Sequence, residues 1–268
     1  MNTHKFEFTS LRQEFEGGDQ EVFVLDQKEK HVVSVPFVNQ CYSWDCGLAC
    51  VSMILRMFNE PCDDVYTKDL DSLQCGESIW TIDLAYILNR HNVGSCLYTI
   101  TLGVNTDHSK KSFYRKNFSI DELRVKSMFE NAHQHGVLVQ KRYLTIDDLI
   151  KHLEKNNPII VLVDWTLMKC LWCESTLRKC WSCVTCNKGP YQGHFVVVCG
   201  YDINKAHIFY KNPDSHHHDL CCIHMDEFDK ARKSDGTDQD TLYIFNQTFR
   251  GGMGDSSHEG VVDCVKTQ

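Results

Sequence analysis

Residues 40–50 read Gln40-Cys41-Tyr42-Ser43-Trp44-Asp45-Cys46-Gly47-Leu48-Ala49-Cys50 and open a segment with helical spacing that extends to Phe58. Asp45 stands at the position expected for a helix N-cap. Cys46 then falls at the helix N-terminus, where unpaired N–H groups and the helix dipole stabilise a thiolate. Gly47 would leave room for a substrate backbone. The pattern predicts a nucleophilic cysteine at position 46, and a buried core cysteine is the plainer alternative in a chain with 15 cysteines.

A thiolate nucleophile needs a neighbouring base and a third group that orients the base. His194 begins an apolar, strand-like run, and its separation of 148 residues from Cys46 suits a papain-like arrangement. Asn212 follows a second such run and precedes a proline, which favours an extended backbone. Asp214 is the alternative orienting residue. Gln40 is placed upstream of Cys46, where its amide could donate to a developing oxyanion together with the Cys46 N–H.

The order of the remaining patterns favours an α+β fold rather than a parallel sheet. Helical spacing prevails in the first half, and runs of β-branched and aromatic residues prevail in the second. Helices are expected at 46–58, 63–73, 81–91, 121–135, 146–155 and 225–233, and strands at 32–36, 95–101, 137–140, 159–163, 194–201, 207–210 and 241–245. We therefore predict a papain-like cysteine peptidase fold, with N-terminal helices packed on a C-terminal antiparallel sheet.

Composition divides the chain into three parts. Residues 31–246 form the predicted single papain-like domain, with a cysteine-rich insertion at 166–190. Residues 1–30 are polar and charged, which is typical of a flexible N-terminal arm. Residues 247–268 are rich in glycine, serine and acidic residues, and a disordered tail is expected there.

Charge and hydropathy limit the partners. The formal net charge of -8 argues against nucleic acid as a partner. The hydrophobic fraction of 42% is that of an ordinary globular protein. The basic residues at 110, 111, 115 and 116 are interpreted as a solvated loop. Neither a secretory signal nor an apolar run long enough for a bilayer is evident, so we expect a cytoplasmic or nuclear protein that does not act at membranes.

The insertion carries two C-x-x-C pairs, which are typical of structural zinc sites. Cys170 and Cys173 form the first pair, and Cys180 and Cys183 form the second. These four are the predicted zinc ligands, and Cys186 could replace one of them. The alternative is a reduced or redox-labile cysteine loop. The three histidines at 216–218, with the cysteines at 221 and 222 nearby, could also attract a metal, and a polar loop between a strand and a helix is the favoured interpretation.

Several further segments resemble one known family over residues 33–246. That family is the guanylyl-cyclase-domain-containing proteins of animals, with a plant counterpart described as a soluble guanylyl cyclase. The matching segments are Trp44-Asp45-Cys46-Gly47-Leu48-Ala49-Cys50, Ser78-Ile79-Trp80-Thr81-Ile82-Asp83-Leu84-Ala85-Tyr86, Thr101-Leu102-Gly103-Val104, Ser112-Phe113-Tyr114-Arg115-Lys116 and Tyr191-Gln192-Gly193-His194-Phe195.

The family is in turn similar to the papain-like peptidases that cleave bacteriocin leaders. Those peptidases share a glutamine, an Asp-Cys-Gly element, a strand that begins with histidine and a polar residue before proline. The resemblance carries over Gln40, Cys46, His194 and Asn212 as the site. Where those peptidases usually have aspartate before the proline, this chain has Asn212.

Three function classes follow. The residues favour a cysteine hydrolase that cuts a peptide or isopeptide-type bond in a peptide or protein substrate and needs no cofactor for its thiol chemistry. The family name implies a cyclase that converts GTP to cyclic GMP with a divalent metal, yet the chain has no Gly-rich phosphate loop of the usual type and no evident two-metal acidic pair. Asp83 is expected to anchor a helix instead. The third class is an inactive, papain-like protein-binding module.

Overall fold

The computed structural model describes residues 28–115, 118–173, 190–215 and 219–245. The helices within these ranges are α1 (Cys46–Met57), α2 (Leu70–Leu73), α3 (Thr81–Arg90), α4 (Ser112–Arg115), α5 (Phe118–Asn131), α6 (Ile146–Leu153) and α7 (Met225–Arg232). The strands are β1 (Lys30–Val32), β2 (Ser95–Thr99), β3 (Leu138–Lys141), β4 (Ile159–Asp164), β5 (Gly193–Asp202), β6 (His207–Lys211), β7 (Cys221–His224) and β8 (Thr241–Ile244). Most of the predicted arm, much of the predicted insertion and all of the predicted tail lie outside the described residues.

The strands form one mixed sheet in the order β3-β2-β8-β4-β5-β6-β7, with β1 beside the far end of β5. Every pairing is antiparallel except β2 with β3, which is parallel. The α+β class with helices packed on a largely antiparallel sheet is confirmed. The sheet is not built from the C-terminal half alone, because two strands from the first half of the chain, β1 and β2, also join it.

Strands β4 and β5 form the centre of the sheet because their sequences suit complete burial. All six residues of β4 are buried, and β5 is buried from His194 to Asp202. Runs of valine and isoleucine fit such strands, because branched side chains pack well on a pleated surface. The core therefore fixes the position of His194, the first buried residue of β5.

Helix α1 lies against the start of β5, and Gly47 makes the close approach possible. A Cβ atom at Gly47 would lie 3.0 Å from Leu84 Cδ2 and 3.1 Å from Phe195 Cδ2. These distances are tighter than normal van der Waals contact. The space beside Gly47 is therefore filled by the protein's own side chains, and the expectation that it admits a substrate backbone is wrong.

Local signals at helix ends are largely confirmed. The Thr145 hydroxyl accepts the Asp148 N–H at 3.1 Å, and the Asp148 carboxylate accepts the Thr145 N–H at 2.8 Å, which is the predicted capping box. Gly136 ends the helical segment after α5 with φ of 73°. Cys221 and Cys222, in contrast, lie in a buried strand, β7, where a polar loop was expected. β7 has only four residues, which are too few to show the alternation of apolar and polar residues that predicts a strand.

Asp83 anchors α3, as expected. Its buried carboxylate accepts the N–H of Trp80 at 2.8 Å, just before the helix begins. Arg124 of α5 pairs with the same carboxylate and also reaches Asp121 at 3.3 Å. A buried charge needs such partners, so the network holds α3 and α5 together.

None of the helices described here is both long and apolar enough to cross a membrane.

A buried histidine makes stability depend on pH. His152 is 6% exposed, its Nε2–H donates to the Ile244 carbonyl at 2.8 Å, and its ring stacks on Tyr243. Burial lowers the pKa of His152 from 6.5 to about 4. Below pH 6.5, His152 therefore binds a proton in the unfolded chain, whereas in the folded chain it binds one only below about pH 4.

We expect the free energy of unfolding to fall by about 3 kcal/mol from this group as the pH decreases from 6.5 to 4. His152→Gln, which keeps a donor but does not titrate, should reduce that fall. His133→Gln, at an exposed histidine, is the control. Urea unfolding at several pH values measures the effect. Identical pH dependence in the wild type and His152→Gln would contradict the prediction.

Candidate active site

The loop before α1 is folded by the carboxylate of Asp45. Asp45 occupies the N-cap position, but its side chain makes no hydrogen bond to the helix. Its two oxygens accept the backbone N–H groups of Cys41 and Tyr42, at 2.9 and 3.0 Å. The predicted N-cap position of Asp45 is confirmed, but the prediction that its side chain caps the helix is wrong. Asp45 instead bends residues 41–45 into a turn that delivers Cys46 to the first position of α1.

The Cys46 sulfur lies at an edge of β5 that none of the described strands covers. β6 pairs with β5 only from Val197 onward, so the first residues of β5 are free on that side. There the Cys46 sulfur lies near the backbone N–H groups of Phe195 and Gly47, which favour its ionised form. Cys46 is thereby held against the residue that follows His194.

The charge state of Cys46 differs from the expected one. Burial raises its pKa to about 11, and this outweighs the N–H donors of Phe195 and Gly47, which lower it. The nearby carboxylate of Asp45 raises the pKa further. The helix N-terminus therefore does not produce a thiolate at neutral pH in the unliganded site. Cys46 rests there as a thiol, and ionisation requires a base during the reaction.

His194 and Asn212 are joined by a buried hydrogen bond. His194 Nε2 lies 2.8 Å from Asn212 Oδ1, and the residues are 8% and 6% exposed. The same oxygen accepts the Asp214 N–H at 3.1 Å. Because an amide oxygen only accepts, His194 carries its proton on Nε2, and Nδ1 keeps a free lone pair. The predicted pair is thus brought together, and Asn212 rather than Asp214 contacts the ring.

Burial lowers the pKa of His194, while the hydrogen bond to Asn212 opposes that shift. His194 is therefore a neutral imidazole at pH 7, which is the form that can accept a proton. A neutral thiol and a neutral base at rest define a site in which the proton moves only when the nucleophile attacks.

Trp165 covers this pair, a role that no motif in the sequence predicts. The centroid of its ring lies 4.7 Å from that of the His194 ring, and its backbone N–H donates to the Gln192 carbonyl at 2.8 Å. An aromatic cover keeps water away from the hydrogen bond of the imidazole. The only sequence signal is a tryptophan directly after the buried strand β4.

Gln40 connects the two halves of the site through its backbone. Its N–H donates to the Pro213 carbonyl at 2.9 Å, which joins the loop before Cys46 to the segment after Asn212. Its side-chain amide donates to the Tyr42 carbonyl at 2.9 Å. An amide nitrogen has two protons, so one remains for a substrate. The oxyanion role of Gln40 stays a prediction.

A pocket of about 210 Å³ opens beside Cys46. Two tryptophans and three carboxylates contribute to it. No motif in the sequence assigns any of these five residues to the site. The lining residues are Ser43, Trp44, Cys46, Glu77, Ser78, Ile79, Trp80, Thr81, Phe113, Leu162, Gly193, Phe195, Gly236, Thr237, Asp238 and Asp240. The pocket therefore combines a thiol, aromatic surface and acidic groups.

Asp240 is the most perturbed acid of the pocket. Burial raises its pKa to about 7, the neighbouring hydroxyl groups of Thr81 and Thr99 oppose the rise, and Asp238 adds to it. At neutral pH the carboxyl is therefore close to half ionised. An ionisable group in a cleft whose pKa is shifted so far is a candidate functional group. No local pattern indicates a functional role for Asp240, because the residues that surround its carboxyl are distant along the chain.

The cysteine cluster differs from the predicted zinc ligand set. The sulfurs of Cys170, Cys173 and Cys221 all lie within 4.8 Å of one another, a grouping that could hold a metal ion. Cys180 and Cys183 lie outside the described residues. The structure thus joins the first predicted pair to a cysteine of β7.

These features define a class, an α+β protein in which a helix-borne cysteine approaches a strand-borne His-Asn pair. The sequence model described as guanylylate cyclase matches residues 35–244, and the chain belongs to that family. It is 37% identical over 224 residues to Guanylyl cyclase 1 of Arabidopsis thaliana, covering 83% of this chain and 79% of the relative. A crystal structure of a candidate C39-like peptidase from Bacillus anthracis is also similar, with TM-score 0.42 and 13% identity over 82% of this chain and 98% of that one.

The raised pKa of Cys46 predicts slow alkylation. We expect iodoacetamide to modify Cys46 much more slowly than exposed Cys41 at pH 7, with the Cys46 rate still rising at pH 10. Both residues lie in the same tryptic peptide, so fragment-ion mass spectrometry compares them within one sample. A Cys46 rate that levels off below pH 8 would contradict the prediction, because it would reveal a thiolate at rest.

Proposed function

We propose that this protein is a papain-like cysteine hydrolase that cuts a peptide or isopeptide-type bond. The observation that carries the proposal is the buried His194–Asn212 hydrogen bond at the start of β5, where the backbone N–H of the next residue, Phe195, lies near the Cys46 sulfur. A nucleophile, a base and an orienting group are the parts that acyl transfer by a thiol requires.

In the proposed mechanism, Cys46 attacks the substrate carbonyl carbon while His194 Nδ1 takes the thiol proton. Asn212 keeps the ring in the correct tautomer and orientation. The tetrahedral oxyanion is stabilised by the Cys46 N–H and the Gln40 amide. His194 then returns the proton to the leaving nitrogen as the C–N bond breaks, and a thioester remains on Cys46.

Water completes the cycle. It attacks the thioester carbonyl while His194 takes its proton, and the C–S bond breaks as the proton passes to the Cys46 sulfur. General-base catalysis of this kind typically contributes about 10²- to 10⁴-fold to the rate. Removal of the base should slow this enzyme more than it would slow one with a preformed thiolate, because the thiol of Cys46 has a raised pKa and must lose its proton during the attack.

The pocket beside Cys46 supports a peptide or protein substrate. Its volume of about 210 Å³ is below the roughly 300–1,000 Å³ typical of small-molecule sites and suits a side chain better than a whole nucleotide. The carboxylates of Glu77, Asp238 and Asp240 on its wall would favour a basic side chain. The Trp44 and Trp80 rings add apolar surface along the stem of such a residue.

The test uses a peptide library screened for cleavage by mass spectrometry. Cys46→Ala should abolish cleavage, and His194→Gln should reduce kcat/KM by about 10² or more. Asn212→Ala should reduce kcat with a smaller change in KM, because it disturbs the base rather than binding. The control is Cys41→Ser, an exposed cysteine of the same loop. Cleavage that persists in Cys46→Ala would contradict the proposal.

The second candidate is a guanylyl cyclase, and the family of the chain and the name of its plant relative favour it. The features that could serve it are the carboxylates of Asp238 and Asp240 beside the Trp80 ring. Carboxylates can hold a divalent metal or accept from the N–H edge of guanine, and an aromatic ring can stack on the base.

Incubation with GTP and Mg²⁺ or Mn²⁺ separates the two candidates. If the hydrolase proposal is right, we expect no cyclic GMP above the level of boiled protein by mass spectrometry. Cyclase activity that survives Cys46→Ala and disappears in Asp240→Asn would contradict that expectation. Asp147→Asn, at an exposed acidic residue of α6, is the matched control.

A further inference from the structure

The three-cysteine cluster joins two segments that are far apart in sequence. Cys170 and Cys173 follow a short helical turn at Trp165–Leu167, and Cys221 begins β7. The Cys173 and Cys221 sulfurs are 4.0 Å apart, and all three sulfurs lie within 4.8 Å of one another. A disulfide needs about 2.05 Å between sulfurs, whereas two ligands of one tetrahedral zinc ion are separated by about 3.8 Å.

Backbone donors surround one of the sulfurs. The N–H groups of Cys173 and Cys222 both point to the Cys170 sulfur. In a C-x-x-C turn such donors stabilise a deprotonated sulfur, and metal-bound thiolates commonly keep outer hydrogen bonds of this kind. The Tyr210 hydroxyl also lies next to Cys170. The Cys170 sulfur therefore has polar neighbours from both β6 and β7.

The surrounding contacts hold the segment in place. Leu171 N–H donates to the Cys222 carbonyl at 2.7 Å, and the Trp172 ring stacks on Phe209 of β6 with centroids 5.6 Å apart. The turn and β7 are thus already positioned to present the three sulfurs to one ion. Preformed ligand geometry lowers the cost of binding a metal.

We propose that Cys170, Cys173 and Cys221 bind a structural zinc ion. Soft thiolate ligands select zinc among the common divalent ions, and a water molecule or another donor would complete a tetrahedron. Each thiol loses its proton to the solvent when the ion binds, so three protons are released and no electron moves. This ligand set replaces the second C-x-x-C pair with a cysteine from the sheet.

The ion would lie outside the candidate active site and would stabilise the segments that form it. Cys170 follows Trp165, which covers His194, by five residues, and Cys221 follows Asn212 by nine. A zinc ion between them would link the segment that covers the imidazole to the segment that orients it. The zinc proposal does not depend on the proposed hydrolase activity, because metal content is measured without turnover.

The experiment measures zinc by plasma mass spectrometry in full-length protein purified with a reductant and without added metal. We expect about one zinc ion per chain, and a zinc content about tenfold lower or less in Cys221→Ser and Cys173→Ser. Cys222→Ala is the matched control. It changes the neighbouring buried residue of β7 but keeps the N–H that donates to Cys170, so its zinc content should equal that of the wild type.

Replacement of zinc by Co²⁺ gives a second readout that does not rely on the fold of a variant. Intense visible bands with a sulfur-to-metal charge-transfer band would support thiolate ligands. A Cys221→Ser variant that keeps full zinc, while Cys180→Ser and Cys183→Ser lose it, would overturn the ligand set. Wild-type protein with no zinc, or with a disulfide between Cys173 and Cys221, would overturn the proposal itself.

Discussion

The site depends on the contact between the first turn of α1 and the uncovered edge of β5. β6 pairs with β5 only from Val197, which leaves room for the Cys46 sulfur near the backbone N–H of Phe195. The contact requires Gly47, because a Cβ atom there would press on the Phe195 ring. Since β5 also carries His194, one packing contact between a helix and a strand edge brings the thiol to the histidine strand.

The same packing sets the chemistry of the site. Close contact buries Cys46 and His194, and burial disfavours the charged form of each, so the thiol pKa rises and the imidazole pKa falls. The result is a neutral pair in which Asn212 holds the base ready and Trp165 excludes water. A buried neutral thiol also resists alkylation and oxidation until a substrate arrives.

Much of the fold could be predicted from local signals, because helix spacing, the Thr145 capping box and buried apolar runs depend on neighbouring residues. Cys46, His194 and Asn212 could be proposed from the sequence for the same reason, since each stands at the start or end of a strong element. The carboxyl of Asp240 and the contribution of Cys221 to the cluster could not be found, because both depend on which distant segments meet. Nor does sequence give the extent of burial, so the direction of the Cys46 pKa shift was predicted wrongly.

The central claim is that Asn212 holds His194 as the Nε2–H tautomer, leaving Nδ1 to accept the Cys46 proton. Nitrogen-15 NMR of histidine-labelled protein, with the His194 signals assigned by the His194→Gln variant, reads that tautomer directly. At pH 7 the account predicts a protonated Nε2 and an unprotonated Nδ1, with the preference lost in Asn212→Ala. A proton on Nδ1, or on both nitrogens, in the wild type at pH 7 would contradict it.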